Sequence, residues 1–248
     1  MELGLRGRTA IVCGASAGMG LAIAESLAAE GANVAMFARR RDLLEREADR
    51  IGALAVRGDL TNPKHLALLV DRTLEAFGGI DVLVLNGGGP PPTSAVDVTD
   101  EAVEIAVDLL LVSSVRLVRG CLPHLRTSGH GRVVAITSSS VREPIPNLAL
   151  SNAIRPGLVG WLKTLARELG PEGVTVNAIA PGRIDTARIR EVYGPDGPSA
   201  ADLEAIPLRR LGDAREIGDV VCFLASDRAA YVTGTVIPVD GGLTRGLL

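Results

Sequence analysis

The sequence predicts an α/β fold, a doubly wound parallel sheet with helices on both faces. Short apolar runs alternate with longer stretches that carry apolar residues at helical spacing, and this alternation is typical of parallel strands joined by right-handed crossovers. Hydrophobic residues make up 47% of the chain but aromatic residues only 2%. The core must therefore be built from aliphatic side chains, as in sheets that are covered on both faces.

Seven strands are predicted, each a short run rich in Val, Ile, Leu and Ala. In chain order they are Thr9–Cys13, Asn33–Phe37, Leu54–Val56, Val82–Leu85, Arg132–Thr137, Thr175–Ile179 and Val236–Val239. Helical spacing occupies the stretches between most of them, for example Leu21–Ala28, Leu66–Phe77, Ile105–Leu122 and Leu158–Leu169. Because no linker or repeat interrupts the pattern, we expect residues 1–248 to form a single domain.

One region is irregular. Residues 187–207 contain closely spaced glycines and prolines, which predict a mobile loop. In a doubly wound sheet such a loop would cover a site at the carboxyl ends of the strands.

Composition excludes several classes of protein. The net charge is −3 and the basic residues are scattered, so no nucleic-acid partner is expected. Cys13, Cys121 and Cys222 lack zinc-ligand spacing, so we predict buried thiols and no metal site. The sequence shows no signal-peptide pattern and no apolar run near the ~20 residues of a membrane span. A cytoplasmic protein without a membrane partner is therefore expected.

The first predicted strand runs directly into Gly14-Ala15-Ser16-Ala17-Gly18-Met19-Gly20, and a helix follows. Gly14 permits a tight turn, Gly18 lets the backbone approach a pyrophosphate, and Gly20 lets the helix pack against the strand. The helix N-terminus then offers free N–H groups to phosphates. This context favours a dinucleotide-binding Rossmann domain over an ordinary glycine-rich turn.

The end of the second strand indicates which dinucleotide is bound. An acid at this place would bind the ribose 2′-hydroxyl of NAD, but the chain has Arg39, Arg40 and Arg41. Arg39 and Arg40 could pair a 2′-phosphate in bidentate fashion, so NADP is favoured over NAD. The alternative is a solvated basic start to the next helix.

Further motifs follow in order along nearly the whole chain. They are Gly58-Asp59-Leu60, Asn86-Gly87-Gly88-Gly89, Val176–Gly182 with Ile184 and Thr186, Thr233-Gly234 and Val239–Gly242. Together with the glycine motif they make the chain resemble the short-chain dehydrogenase/reductase family, especially its 3-oxoacyl-carrier-protein reductases. The resemblance implies that the cofactor contacts Gly14, Ser16, Ala17, Gly18, Met19, Gly20, Asp59, Leu60, Asn86, Gly87, Gly88, Pro181, Gly182, Ile184 and Thr186.

The resemblance also implies catalytic positions. Family members use a tyrosine as proton donor, a lysine four residues later, a serine thirteen residues before the tyrosine, and an asparagine on the preceding long helix. Alignment through the flanks 131–138 and 162–170 identifies the serine as Ser138. Ser151 stands where the tyrosine belongs, Arg155 where the lysine belongs, and Leu110 where the asparagine belongs.

These differences leave several functions open. Arg155 could bind the nicotinamide ribose or stabilise an alkoxide, but it cannot act as an acid or base. Pro156 is predicted to place Arg155 at a helix start, away from the face of Ser151. The missing proton donor could be Tyr193, which lies in the irregular region, or a water held by Ser138, Ser151 and Arg155.

The sequence thus predicts an NADP-dependent oxidoreductase acting on a small-molecule carbonyl or alcohol, with an altered proton donor. The alternatives are a cofactor-binding protein without hydride transfer, or a non-redox reaction on the same scaffold. By resemblance, a homotetramer or homodimer should form through the helix spanning roughly Thr99–Leu125 and the helix after Ser151. The apolar end Gly246-Leu247-Leu248 could join a second interface. His65, His124 and His130 are expected at the surface.

Overall fold

The computed structural model describes residues 2–246 and confirms the predicted doubly wound sheet. Seven parallel strands are arranged in the order β3-β2-β1-β4-β5-β6-β7. Their bounds are Thr9–Cys13 (β1), Asn33–Ala38 (β2), Leu54–Arg57 (β3), Val82–Leu85 (β4), Arg132–Ile136 (β5), Thr175–Pro181 (β6) and Val236–Val239 (β7). Each predicted strand is therefore found within two residues of its predicted bounds.

The helices lie between the strands. They are Gly18–Ala29 (α1), Arg41–Ile51 (α2), Pro63–Phe77 (α3), Asp100–Val107 (α4), Ser113–Thr127 (α5), Ala149–Leu169 (α6), Ala187–Tyr193 (α7), Ala200–Glu204 (α8) and Ala214–Ala225 (α9). A π-helical turn, Asp108–Val112, joins α4 to α5, so the predicted long helix is present. The region 187–207, which was expected as a loop, contains α7 and α8.

Aliphatic side chains cover both faces of the sheet. On one face the core includes Leu69 of α3, Leu117 of α5 and Leu162 of α6. On the other face it includes Ile23 of α1 and Ile217 of α9. The connection order reverses between β1 and β4, which lie side by side. A crevice for ligands opens at such a reversal, outside the carboxyl ends of the strands.

The burial of individual residues confirms the prediction for the cysteines and corrects the prediction for His130. The three cysteines are buried free thiols, as predicted. His130, expected at the surface, is buried because the turn after α5 packs against the end of α9. Its Nε2 lies 2.8 Å from the carbonyl oxygen of Ala225, and its Nδ1 lies 2.9 Å from Asp227 Oδ1.

Two further observations bear on the expectations about membranes and interfaces. None of the helices in residues 2–246 combines the length and the apolarity that a membrane crossing needs. Leu247 and Leu248, which were expected to join an interface, lie outside the described residues.

Candidate functional site

The glycine-rich turn after β1 is held by close backbone packing. Gly14 and Gly18 have φ angles of 61° and 55°, in the left-handed region that favours glycine. A Cβ on Gly20 would lie 2.2 Å from the carbonyl oxygen of Gly14. No larger residue fits at Gly20 without displacing the backbone, so this turn is built for the close approach of strand, helix and ligand.

Helix α1 begins immediately after Ala17 and points its N-terminus into the crevice. None of the described side chains caps this end of the helix. The first N–H groups are therefore free to donate, and the positive end of the helix dipole adds to their attraction for an anion. Ser16 is buried beneath the turn, and Met19 is half-buried on it. This cradle fits the pyrophosphate of a dinucleotide.

The ends of β3 and β4 bring two more predicted segments to the crevice. Asn86 Nδ2 donates to the carbonyl oxygen of Cys13 at 3.1 Å and so ties β4 to β1. Leu60 and Gly87 line one small cavity together with Cys13. Asp59 accepts hydrogen bonds from the backbone N–H and hydroxyl of Thr61, which lower the pKa of its carboxyl.

Arg39 and Arg40 extend from the end of β2 and are exposed. Arg40 Nη2 lies 3.4 Å from Ser16 Oγ, so its guanidinium reaches back to the glycine-rich turn. Arg57, at the end of neighbouring β3, donates to the carbonyl oxygen of Arg39 at 3.4 Å. Arg57 was not predicted as a site residue, and it lies here because β3 pairs in parallel with β2.

The segment after β6 closes over the same turn. A Cβ on Gly182 would lie 2.6 Å from the Cα of Asp240, so the backbone passes close to the loop after β7. Pro181 ends β6, and buried Ile184 pairs with Gly212. Thr186 reaches the glycine-rich turn, because its Cγ2 would be 3.3 Å from a Cβ on Gly18. The predicted cofactor segments thus meet at one edge of the sheet.

Three serines lie beside this crevice, two after β5 and one on α6. Ser138 Oγ accepts from the backbone N–H of Ser140 at 3.1 Å. Ser140 Oγ in turn lies 3.4 Å from Ser151 Oγ. Ser140 is buried and connects the two predicted serines. It was missed as a site residue because Ser138–Ser140 also fits an ordinary polar strand end.

Arg155 is the most connected side chain of the site. Its Nε donates to Ser151 Oγ at 3.1 Å, its Nη1 to the carbonyl oxygen of Ile136 at 3.3 Å, and its Nη2 to that of Gly88 at 3.0 Å. Burial lowers the pKa of Arg155 to about 10, and the like charge of Arg188 acts in the same direction. The guanidinium is therefore still protonated at neutral pH.

The prediction that Pro156 separates Arg155 from Ser151 is wrong. Helix α6 begins at Ala149 and continues through Pro156, so Ser151 and Arg155 lie one turn apart on the same buried face. Leu158, Leu162 and other apolar side chains of α6 pack against the sheet. This packing compensates for the backbone hydrogen bond that proline removes.

The π-helical turn between α4 and α5 surrounds buried Leu110. The hydroxyls of Ser113 and Ser114 donate to the carbonyl oxygens of Leu109 and Leu110, at 2.6 and 3.0 Å. These bonds satisfy carbonyls that the wider turn frees from the helical ladder. Leu110 itself brings no polar group to the site.

Tyr193 and Arg188 lie on α7, across the crevice from Arg155. The ring of Tyr193 packs on the guanidinium of Arg183, 5.2 Å from ring centroid to Cζ. Burial raises the pKa of Tyr193, which makes it a weaker acid. Arg188, which the sequence analysis did not single out, donates to the carbonyl oxygen of Pro90 at 2.7 Å.

Comparison with known proteins agrees with this geometry. A family described as Enoyl-(Acyl carrier protein) reductase matches residues 14–244. The chain is similar to the 3-oxoacyl-[acyl-carrier-protein] reductase FabG of Escherichia coli, with 36% identity covering 97% of this chain and 99% of the relative. It is also 34% identical to an uncharacterised short-chain type dehydrogenase/reductase of Sinorhizobium fredii, covering 96% of this chain and 98% of that one.

Among solved structures, the chain is similar to L-sorbose reductase from Gluconobacter frateurii complexed with NADPH and L-sorbose. The TM-score is 0.92, the identity is 31%, and both chains are covered over 100% of their length.

Proposed function

The chain belongs to the short-chain dehydrogenase/reductase family, and on that premise we propose that it is an NADP-dependent oxidoreductase acting on a carbonyl or the corresponding alcohol. The names of its relatives support this reaction class, since they include a 3-oxoacyl reductase and a sugar reductase complexed with NADPH. The uncapped helix and the close-packed glycines support a dinucleotide, and the exposed arginines after β2 support the choice of NADP.

In this proposal the nucleotide lies along the carboxyl edge of the sheet. Gly14–Gly20 and the N-terminus of α1 hold the pyrophosphate, with Ser16, Ala17 and Met19 beside it. Arg39 and Arg40 pair the 2′-phosphate, while Asp59 and Leu60 border the adenine. Asn86, Gly87, Gly88, Arg155 and the segment Pro181–Thr186 hold the nicotinamide end. When bound, NADPH supplies a hydride to the carbonyl carbon of the substrate.

One observation carries the proposal: the guanidinium of Arg155 donates both to the carbonyl oxygen of Gly88, on the cofactor side, and to the hydroxyl of Ser151. A fixed cation therefore lies between the place of the nicotinamide and the hydroxyls that would hold a carbonyl oxygen. Such a preorganised charge stabilises the alkoxide that forms as hydride arrives.

We assign three catalytic residues, which take over from the tyrosine and lysine of typical family members. Ser138 and Ser151 donate hydrogen bonds to the carbonyl oxygen, and Arg155 stabilises the negative charge that develops on it. Because a serine hydroxyl is a weak acid and Arg155 keeps its proton, the alkoxide takes its proton from a water held by these hydroxyls, and the hydroxide that remains is reprotonated from bulk solvent. Carbonyl, NADPH and one proton thus give alcohol and NADP⁺.

Residues 187–207 are proposed to cover the bound substrate within a single domain of residues 1–248. The bond from Arg188 to Pro90 supports this role, because it spans the crevice from α7 to the loop after β4. Tyr193 is the competing proton donor, but its ring is held on Arg183. Unchanged turnover in Tyr193→Phe would exclude it, whereas a loss of ~100-fold or more would favour Tyr193 over water.

The test is NADPH oxidation on a panel of ketones and 3-oxoacyl thioesters. The native protein is compared with the double variant Ser151→Tyr/Arg155→Lys, which restores the typical pair. Turnover by the native protein supports the proposal. Silence from the native protein, with activity gained by the double variant, would contradict it and favour a cofactor-binding protein without hydride transfer.

Subunit association is proposed through the long helix α4–α5 and through α6. Val103 and Ile105 of α4 are exposed apolar side chains, which are suited to an interface. Light scattering tests this, with a homodimer or homotetramer expected. Ile105→Glu should shift the protein towards the monomer.

A further inference from the structure

We propose that Arg155 and Arg188 form a subsite for a carboxylate, so that the substrate is a short oxo acid with its carboxylate next to the carbonyl or one carbon away. This inference rests on the proposed function and names its substrate class. One arginine lies on α6 and the other on α7, and both donate to carbonyl oxygens of the loop after β4.

The positive charge of Arg155 has no acidic partner among the described residues. Arg155 is only 8% exposed, and its hydrogen bonds go to neutral oxygens of Ser151, Ile136 and Gly88. Within residues 2–246 no acidic side chain forms an ion pair with it, and the nearby charge that acts on it is another arginine. A buried cation without a counterion is costly, and an anionic ligand relieves that cost.

Arg188 contacts the same loop as Arg155. Its Nη2 donates to the carbonyl oxygen of Pro90, two residues beyond the Gly88 carbonyl that binds Arg155. Two residues of chain span at most about 7 Å, so the two guanidiniums flank one short loop. Gly89 between them allows this approach, because a Cβ there would lie 2.9 Å from Arg188 Nη2.

Both guanidinium groups have N–H donors that their observed hydrogen bonds do not use. A guanidinium has more N–H donors than the three contacts of Arg155 use. Arg188 donates to the carbonyl oxygen of Pro90 and forms an ion pair with exposed Glu191, 2.6 Å from Nη1 to Oε2, which leaves further N–H groups of its guanidinium without a partner in these bonds. Both side chains can therefore still donate to a ligand. Planar guanidinium groups match the geometry of a carboxylate.

The position of the pair selects the substrate rather than the nucleotide as its anion. The nucleotide phosphates are assigned to the glycine-rich turn and to Arg39 and Arg40, at the other end of the crevice. Arg155 lies against Ser151, where the carbonyl oxygen is held. A carboxylate that reaches Arg155 must therefore lie close to the reacting carbonyl, which limits the substrate to 2-oxo and 3-oxo acids.

The experiment measures binding without turnover. Calorimetric titrations add 2-oxobutanoate or acetoacetate, each beside its neutral methyl ester, to the full-length protein saturated with NADP⁺. Hydride transfer to these ketones cannot occur with the oxidised nucleotide. The titrations are repeated without nucleotide, so a failure of cofactor binding does not remove the readout. NADPH oxidation, which tests the proposed function, is assayed separately.

We expect at least one acid to bind about 10- to 100-fold more tightly than its ester, the usual worth of a charged hydrogen bond. Arg188→Gln should remove this preference and leave ester binding within about twofold, since an uncharged ligand gains little from the charge. Arg188→Lys should restore part of it. The control is Arg190→Gln, which removes the same charge from an exposed position on the same helix and should have little effect.

If only one of the two acids binds more tightly than its ester, that acid shows whether the substrate is a 2-oxo or a 3-oxo acid. Equal binding of acid and ester in both pairs would overturn the proposal. So would a preference that survives Arg188→Gln or is lost equally in Arg190→Gln.

Discussion

The glycine-rich turn after β1 and the buried arginine of α6 lie at the same edge of the sheet, but different interactions hold them in place. The turn depends on backbone contacts, such as the 2.2 Å that would separate a Cβ on Gly20 from Gly14. Arg155 depends on side-chain hydrogen bonds to Ser151 and to two backbone carbonyls.

In the proposed assignment one region keeps the typical family pattern and the other departs from it, and this difference in interactions accounts for the contrast. Backbone contacts leave no choice of residue, since any side chain at Gly20 collides with the strand. Side-chain hydrogen bonds can be made by another residue of suitable reach. Arg155 fills the place between α6 and the loop after β4 with a cation that does not titrate at neutral pH. We therefore expect substitutions in the two regions to differ in their effects on catalysis, on nucleotide binding and on stability.

The largest expected effect is on catalysis through the buried arginine. Arg155→Met removes the cation, and kcat should fall about 100- to 1000-fold, the usual cost of losing one preorganised oxyanion stabiliser. The Kd for NADPH, measured by fluorescence, should change much less. A variant that loses nucleotide binding and turnover equally would show that Arg155 serves mainly to bind the cofactor.

The next effect tests the backbone-controlled region. Gly20→Ala places a Cβ against the Gly14 carbonyl and should lower the free energy of unfolding by about 1–3 kcal/mol, as overpacking does. It should also weaken NADPH binding. The matched control is Gly157→Ala in α6, where no atom lies within 4 Å of the new Cβ and alanine favours the helix by about 1 kcal/mol. Equal unfolding curves for Gly20→Ala and Gly157→Ala would show that backbone packing at Gly20 does not limit stability.

A smaller effect is expected at the exposed arginines. Arg40→Gln should raise the Kd for NADPH about tenfold, the value of one charged hydrogen bond, and leave the Kd for NADH unchanged. Arg46→Gln on the exposed side of α2 removes the same charge and serves as control. An equal change for NADH and NADPH would show that Arg40 does not read the 2′-phosphate.

The smallest effect concerns stability against pH, far from the site. Burial lowers the pKa of His130 below its ordinary value of 6.5, and the charges of Arg132 and Arg8 act in the same direction. The hydrogen bond to the Ala225 carbonyl and the charge of Asp227 oppose them only in part. The unfolded chain therefore binds the proton more readily, so stability should fall as the pH drops below 6.5. His130 can contribute a slope of at most about 1.4 kcal/mol per pH unit. Urea unfolding of His130→Gln should show a flatter slope, and an unchanged slope would contradict this assignment.

Much of the fold could be predicted from the sequence because strands buried on both faces produce continuous aliphatic runs. No bounds were predicted for α2 or α9, although a helix was expected to follow the basic residues Arg39 to Arg41. Helix α2 has few buried side chains, so its apolar pattern is sparse. The burial of His130 could not be seen either, because its partner Ala225 lies 95 residues away in the chain.

The candidate site also has parts that could be predicted from the sequence and parts that could not. The glycine-rich turn could be predicted because its chemistry is local to a few consecutive residues. The roles of Ser140 and Arg188 could not, since each depends on a neighbour that the fold supplies. Pro156 was misleading because local propensity disfavours a helix there, whereas the packing of α6 on the sheet stabilises one.

The most direct test of the central claim is the pH dependence of kcat for NADPH oxidation, measured on the native protein and on Ser151→Tyr/Arg155→Lys. A site with a fixed cation and a water as proton donor predicts a flat profile across the neutral range for the native protein. The double variant should show activity that falls as pH rises, because its tyrosine must keep a proton to donate. A falling limb in the native protein would contradict the claim and indicate a titrating acid in the site.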